Sequence, residues 1–335
     1  QREVLSSLSH EERQQFFGRL ILQSEINNYR QGSPAIAVQD QNGLVMRLVE
    51  KSYESFDASL AHDTFGNSET RERLLFQAAE VINSRAVPQN LKEQFMSRAV
   101  TEINTQIDAM PGESKYPLFA ANLHASAGDF ENAFEKLDLA ESFSAKKDQI
   151  FYARGDIYMR LGNYQEAYDT YMIALDNDSN NFRAAIRAAR AAIYLQDDEL
   201  ANEILTPFYE THLITDPQIV NAYADLKNFE AVRDIYLLAI EKEPEKIQHR
   251  VQLANAYVEL QDIVKAVETY EQAFVDFPEN PELWFGLTKI YVDSNDTTKA
   301  VETLQRAREA FPEDGRVQND AQYYIQQIQN QNSTE

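Results

Sequence analysis

The chain has 335 residues, is 43% hydrophobic and contains no cysteine, which excludes disulfides, thiol catalysis and cysteine-ligated zinc. Its 54 acidic residues against 31 basic ones leave a net charge of -23, the wrong sign for a nucleic-acid binder and one that anionic lipid headgroups repel. No stretch approaches the roughly 18 apolar residues of a membrane span, so no span is expected within the chain, and the first residues lack the basic and apolar pattern of a signal peptide.

The opening Gln1, without an initiating Met, is the expected mark of a piece processed or excised from a larger product. Residues 1–68 read as an N-terminal helical region. Residues 11–29 carry Phe16, Phe17, Leu20, Ile21 and Leu22 on a broad apolar face, and Gln31-Gly32-Ser33-Pro34 reads as a linker. Residues 44–61 form a second amphipathic helix through Leu44, Leu48, Tyr53, Phe56 and Leu60. Residues 69–113 read as a degenerate helix pair. Its first member, 70–83, is marked by Leu74, Leu75, Ala78 and Val81, and Val87-Pro88 breaks the chain. The second, 91–110, carries Phe95, Ala99, Ile103 and Ile107 and ends at Pro111-Gly112.

From Ser114 to Asp314 the chain repeats at an interval of 34 residues. Trp284, Leu287, Tyr291, Ala300, Leu304, Ala307 and Pro312 mark one unit. Subtracting 34 gives Leu253, Ala254, Tyr257, Ala266, Tyr270, Ala273 and Pro278, and a further step reaches Tyr223, Tyr236, Ala239 and Pro244. Upstream, Gly155, Tyr158, Gly162, Ala167, Tyr171 and Ala174 follow Ala121, His124, Gly128, Ala133, Leu137 and Ala140. Small residues at these positions let antiparallel helices approach closely, tyrosines fill the seam, and prolines fall just past helix ends. Six units begin near Ser114, Asp148, Phe182, Leu213, Ile247 and Pro281. The third is short, since 213 minus 182 is 31. Pro207 lies inside what should be its second helix, which predicts an early end and a change of path between Leu205 and Asp216. Residues 315–335 read as a capping helix, 316–329, and a polar tail.

These marks resemble the tetratricopeptide repeat, whose pattern is Trp-x2-Leu-Gly-x2-Tyr, then Ala-x3-Phe, then Pro. The resemblance implies an all-α fold, a right-handed superhelical solenoid of stacked helix pairs that binds a protein or peptide along its concave face. It also implies that the second, fifth, ninth, twelfth and thirteenth positions of each first helix point inward. In the central units those positions hold Tyr152, Asp156, Met159 and Arg160, then Arg183, Ile186, Arg190, Ile193 and Tyr194. Position nine elsewhere holds Asn122, Asn221 and Asn255. Ser126, Asp225 and Glu259 at position thirteen argue against the carboxylate clamp of chaperone-binding members.

Arg183, Arg187 and Arg190 fall at i, i+4 and i+7, along one helical face. Guanidinium groups pair carboxylate or phosphate, so the row is a candidate site for an acidic peptide or an anionic glycan. Pairing with Asp176, Asp178 or neighbouring acids is the competing reading.

Five histidines are scattered without metal-ligand spacing, and no cofactor motif occurs. Asp176, Asp178 and Asn180 alternate like a calcium loop, but Asn181 and Arg187 stand where glycine and glutamate are needed, so the segment reads as a turn. No phosphate loop, nucleophile elbow or metalloprotease motif is present, and the chain itself reads as non-enzymatic.

A second resemblance rests on the run from Ser52 to Leu60 and from Asp63 to Glu72. It is similar to a junction in bacterial membrane proteins of the O-antigen ligase or polymerase type, in which helices and tetratricopeptide repeats follow a multi-spanning domain. It implies a module tethered outside the cytoplasm, the glycan chemistry residing in the membrane domain. The alternatives are a free-standing adaptor, or an enzyme that acts on glycans through paired carboxylates.

Overall fold

The periodic apolar positions become helices. A computed structural model describes residues 49–58, 60, 67–208 and 215–332, and among them every regular element is helical, with no strand. The expected helix at 11–29, the linker at 31–34 and the end of the polar tail lie outside the described residues. The chain divides into two compact units, Gln1–Leu161 and Gly162–Glu335.

In the first unit, residues 49–58 are helical. The pair expected at 69–113 is α1 (Asn67–Asn83) and α2 (Gln89–Ala109). Then come α3 (Lys115–Ser126), α4 (Phe130–Phe143) and α5 (Asp148–Leu161). Leu74, Ala78, Phe95, Ala99 and Ile103 form the core of the first pair, with Tyr53 set edge-on to Phe95 at 5.1 Å. A polar seam borders it. Glu102 of α2 accepts from Arg71 of α1 at 2.8 Å, and Arg98 reaches Asp57 of the 49–58 helix at 3.0 Å. In the next pair Ala121, Ala133, Leu137 and Ala140 are fully buried, so α3 and α4 approach as closely as their methyl groups allow.

The second unit runs α6 (Tyr164–Asn177), α7 (Phe182–Tyr194), α8 (Asp198–Leu205), α9 (Pro217–Asp225), α10 (Phe229–Lys242), α11 (Ile247–Glu259), α12 (Ile263–Asp276), α13 (Glu282–Asp293), α14 (Thr297–Ala310) and α15 (Gly315–Asn332). Helices α10, α12 and α14 each pack on the first helix before them and on the helix that follows, whereas α7 packs directly on α9. Ala266, Ala273, Ala300, Leu304 and Ala307 are buried at the expected register. Tyr257 and Tyr291 are only partly buried, because each ring lies across the turn with a lysine ammonium over it, Lys265 at 5.6 Å and Lys299 at 5.5 Å.

Pro207 ends its helix early, as expected, while the expected change of path between Leu205 and Asp216 falls largely on residues 209–214, outside the described residues. Helix α8 stops after eight residues at Leu205 and a single 3-10 turn, Thr206–Phe208, follows. The next first helix starts at Pro217, four residues after Leu213, the start expected by stepping back 34 from Ile247, with Asp216 capping it by accepting from the Gln218 amide at 2.8 Å. The capping helix α15 buries Val317, Ala321, Ile325 and Ile328 and exposes Asn319, Gln326 and Gln327 together with Tyr323 and Tyr324.

Candidate binding faces on the first helices

Helix α7 is assembled from alanine. Ala184, Ala185, Ala188, Ala189, Ala191 and Ala192 are all at 0% exposure, and α6, α8 and α9 pack around them. Alanine loses no side-chain entropy on burial, so this helix can be enclosed on three sides at little cost. Asn181 caps it by accepting from the Ala184 amide at 3.1 Å.

What α7 leaves outside is basic. Arg183 is exposed, while Arg187 and Arg190 are half-buried. Arg190 donates to Gln218 of α9 at 3.0 Å and to the Tyr171 hydroxyl of α6 at 3.2 Å, so it ties three helices together. Ile186 and Ile193 stand at expected inward positions but are 1% and 0% exposed. They fill the core, because the helices around α7 cover the two positions that a more open repeat would show.

Tyr194 does reach the surface of its helix. Its ring stacks on Tyr164 with centroids 5.0 Å apart, and its hydroxyl donates to Asp225 of α9 at 2.5 Å. Burial, then the hydrogen bond to Asp225 and the carboxylate's charge, push the Tyr194 hydroxyl up to about 12. Farther along the unit, Asn221 of α9 and Asn255 of α11 are exposed. Two residues missed by the inward-position rule join them, Gln218 and Gln252, each three positions before its asparagine. Their own difference, 252 minus 218, is 34, so the repeat register carries the signal.

In the first unit Asn122 of α3 is exposed, Asp156 and Met159 of α5 are half-buried, and Tyr152 is buried. Arg160 is committed to the fold. It donates to the Ala125 carbonyl at 2.6 Å, satisfying an acceptor in the last turn of α3, and lies 5.0 Å over the Phe130 ring. His124 is a packing residue here, bonded through Nδ1 to the Asp129 carboxylate at 2.8 Å.

An open depression of about 630 Å3 lies at the turn 310–315, and one of about 560 Å3 lies at the turn 276–282. Both are away from the first-helix faces. Among the described residues no group of histidine and carboxylate side chains is placed to hold a metal, and no helix is long and apolar enough to cross a membrane. The faces therefore offer carboxamides, the exposed guanidinium groups of Arg160 and Arg183 and a tyrosine pair, which is equipment for binding.

Two segments match models of the tetratricopeptide repeat family, residues 148–181 and 257–319. No curated protein matches the chain. Solved structures similar to it include a tetratricopeptide repeat protein from Parabacteroides merdae, at 16% identity over 74% of this chain and 96% of that one, with a TM-score of 0.43. Yeast Tom70 is 18% identical over 86% of this chain and 60% of its own, with a TM-score of 0.46. YrrB, a tetratricopeptide repeat protein with an unusual peptide-binding site, is 17% identical over 66% of this chain and 97% of its own, at a TM-score of 0.31.

Proposed function

Because the chain carries tetratricopeptide repeats, we propose that it is a binding scaffold whose first-helix faces hold an extended segment of another protein. One observation carries this reading. Asn122, Asn221 and Asn255 recur at one position of their repeats and all three are exposed. A carboxamide presents a donor and an acceptor side by side, the complement of a peptide unit, and a helix surface holds it in place before the ligand arrives. Arg183, with Arg187 beside it, adds a site for an acidic side chain or an anionic glycan. No reaction is assigned to the chain.

Selection of a phage-displayed random peptide library on the intact chain tests the reading. Selected peptides lose about tenfold or more in affinity when Asn221 and Asn255 are both replaced by alanine, and those bearing acids also lose affinity to Arg183→Glu. Unchanged binding with a native circular dichroism spectrum overturns it.

The likeness of residues 52–72 to the ligase junction supports a finer reading. In it the scaffold is the soluble module of a membrane-embedded, O-antigen ligase-like protein and organises its glycan assembly. Apolar spans of roughly 20 residues encoded upstream of Gln1 are the expected finding. An initiating Met within a few residues of Gln1 makes the chain a free-standing adaptor instead.

A further inference from the structure

The second helices of the Gly162–Glu335 unit turn one face outward, and on two of them that face is apolar as well as acidic. On α12, Val264 and Val275 are 68% and 74% exposed. Val264, Glu268, Glu271 and Val275 stand at i, i+4, i+7 and i+11, a stripe about 60° wide and about 16 Å long, and all four are exposed. The corresponding stripe of α10 is Glu230, Asp234, Leu237, Leu238 and Glu241, with the two leucines 44% and 39% exposed.

Scattered exposed apolar residues are ordinary, but here two stand on the same outward face of each of two consecutive second helices, at different positions of the repeat. Packing within the repeat does not require them. The same face of α14 carries Thr298, Glu302, Gln305 and Glu309, all exposed and none apolar. Cations on α10 and α12 are engaged inside their own repeats, Arg233 with Asp234 at 2.8 Å and Lys265 with Asp262 at 3.0 Å. Arg233 thereby offsets Asp234, and Glu230, Glu241, Glu268 and Glu271 carry the negative charge around the apolar side chains. A second copy of a chain with net charge -23 would be repelled from this face, as would an anionic membrane.

We propose that the outward face of α10 and α12 docks a basic amphipathic helix of a partner protein. The partner's apolar side chains seat on Leu237, Leu238, Val264 and Val275, and its lysines or arginines meet Glu268, Glu271, Glu230 and Glu241. This site is separate from the first-helix faces and does not depend on them.

Two labelled synthetic peptides of equal charge, one a leucine–lysine amphipathic helix and one all lysine, are titrated with the intact chain at physiological ionic strength, followed by anisotropy. The leucine–lysine peptide binds about tenfold more tightly. Val264→Ser with Val275→Ser abolishes that advantage, Glu268→Gln with Glu271→Gln weakens both peptides, and Arg183→Glu on the other face leaves both unchanged. Equal binding of the two peptides overturns the proposal, as does an advantage that survives the double serine variant with its fold intact by circular dichroism.

Discussion

The seams α6–α7 and α12–α13 occupy the same place in their repeats and are closed in opposite ways. Each has a buried tyrosine on the second helix, Tyr171 at 0% exposure and Tyr270 at 3%. Against Tyr270 the next helix places Gly286, and a Cβ built there would sit 2.7 Å from the tyrosine Cζ. Against Tyr171 the next helix places alanines and Arg190, which donates to the tyrosine hydroxyl. One seam makes room for a ring by removing a side chain; the other uses the ring's hydroxyl as an acceptor and keeps a row of cations at its margin. The lesson is that the repeat requires a certain closeness of helices and leaves open which chemistry supplies it. The α7 solution is the one that leaves charge at a surface.

The alanine seam should be the less forgiving. Ala189→Leu forces three extra carbons into a site enclosed by α6, α8 and α9, and should cost about 3 kcal/mol, read as a lower midpoint in urea unfolding. Gly286→Ala comes next, at about 2 kcal/mol. Its sign is diagnostic, because in a helix with free space alanine is favoured over glycine by about 1 kcal/mol. Trp284, the sole tryptophan, is two residues away with its ring 4.5 Å from Phe274. Its fluorescence reports the shift directly. Tyr270→Leu added to Gly286→Ala should recover part of the loss, and purely additive effects would separate the glycine from the ring.

Much of this organisation is legible in the sequence. The 34-residue register places the helix pairs, and the glycines and prolines place many of their ends to within a few residues. Pro207 correctly foretells the short α8. What the register cannot show is how far a neighbouring helix reaches. Ile186 and Ile193 obey the inward-position rule and are nonetheless covered, and α9 starts late. Arg160 and Arg190 read as free cations until their partners appear, a carbonyl 35 residues away and a glutamine 28 residues away. Long-range hydrogen bonds leave no periodic trace, and Gln218 stands out only when it is compared with Gln252.

The α7 side also has its own alkaline signature. Tyr194 holds its proton more tightly folded, at about 12, than in the unfolded chain, at about 10. As pH rises past 10 the unfolded chain sheds that proton first. The stability Tyr194 contributes is therefore complete below pH 10 and lost between about 10 and about 12. Burial also raises Tyr168, Tyr236, Tyr270 and Tyr291, so the whole chain weakens in base and only a difference is informative. Tyr194→Phe should lose about 1 kcal/mol less than wild type between pH 9 and 11. Identical slopes for the two proteins would mean that the stack on Tyr164 and the bond to Asp225 do not persist in solution.

The smallest effects belong to the turns, where the two seams agree. After α3 the left-handed position is Gly128, at φ 79°, but after α7, α9, α11 and α13 it is Gln196, Lys227, Gln261 and Asn295, at φ between 58° and 61°. In each the next amide returns to the carbonyl five residues back, as from Asp262 to Tyr257 at 2.8 Å and from Asp296 to Tyr291 at 2.8 Å. A left-handed residue with a Cβ costs about 1–2 kcal/mol, and glycine gives part of that back as unfolded-state entropy. Gln196→Gly and Gln261→Gly should therefore each gain somewhat under 1 kcal/mol, Asn295→Gly less because asparagine tolerates the conformation, and Gly128→Gln should lose about 1 kcal/mol. Thermal melting resolves changes of this size. Gln196 follows the alanine helix and Gln261 follows α11, an ordinary first helix. Equal gains at the two sites would establish the turn as a unit that works independently of the seam beside it, and unequal gains would place the crowding around α7 inside the turn as well.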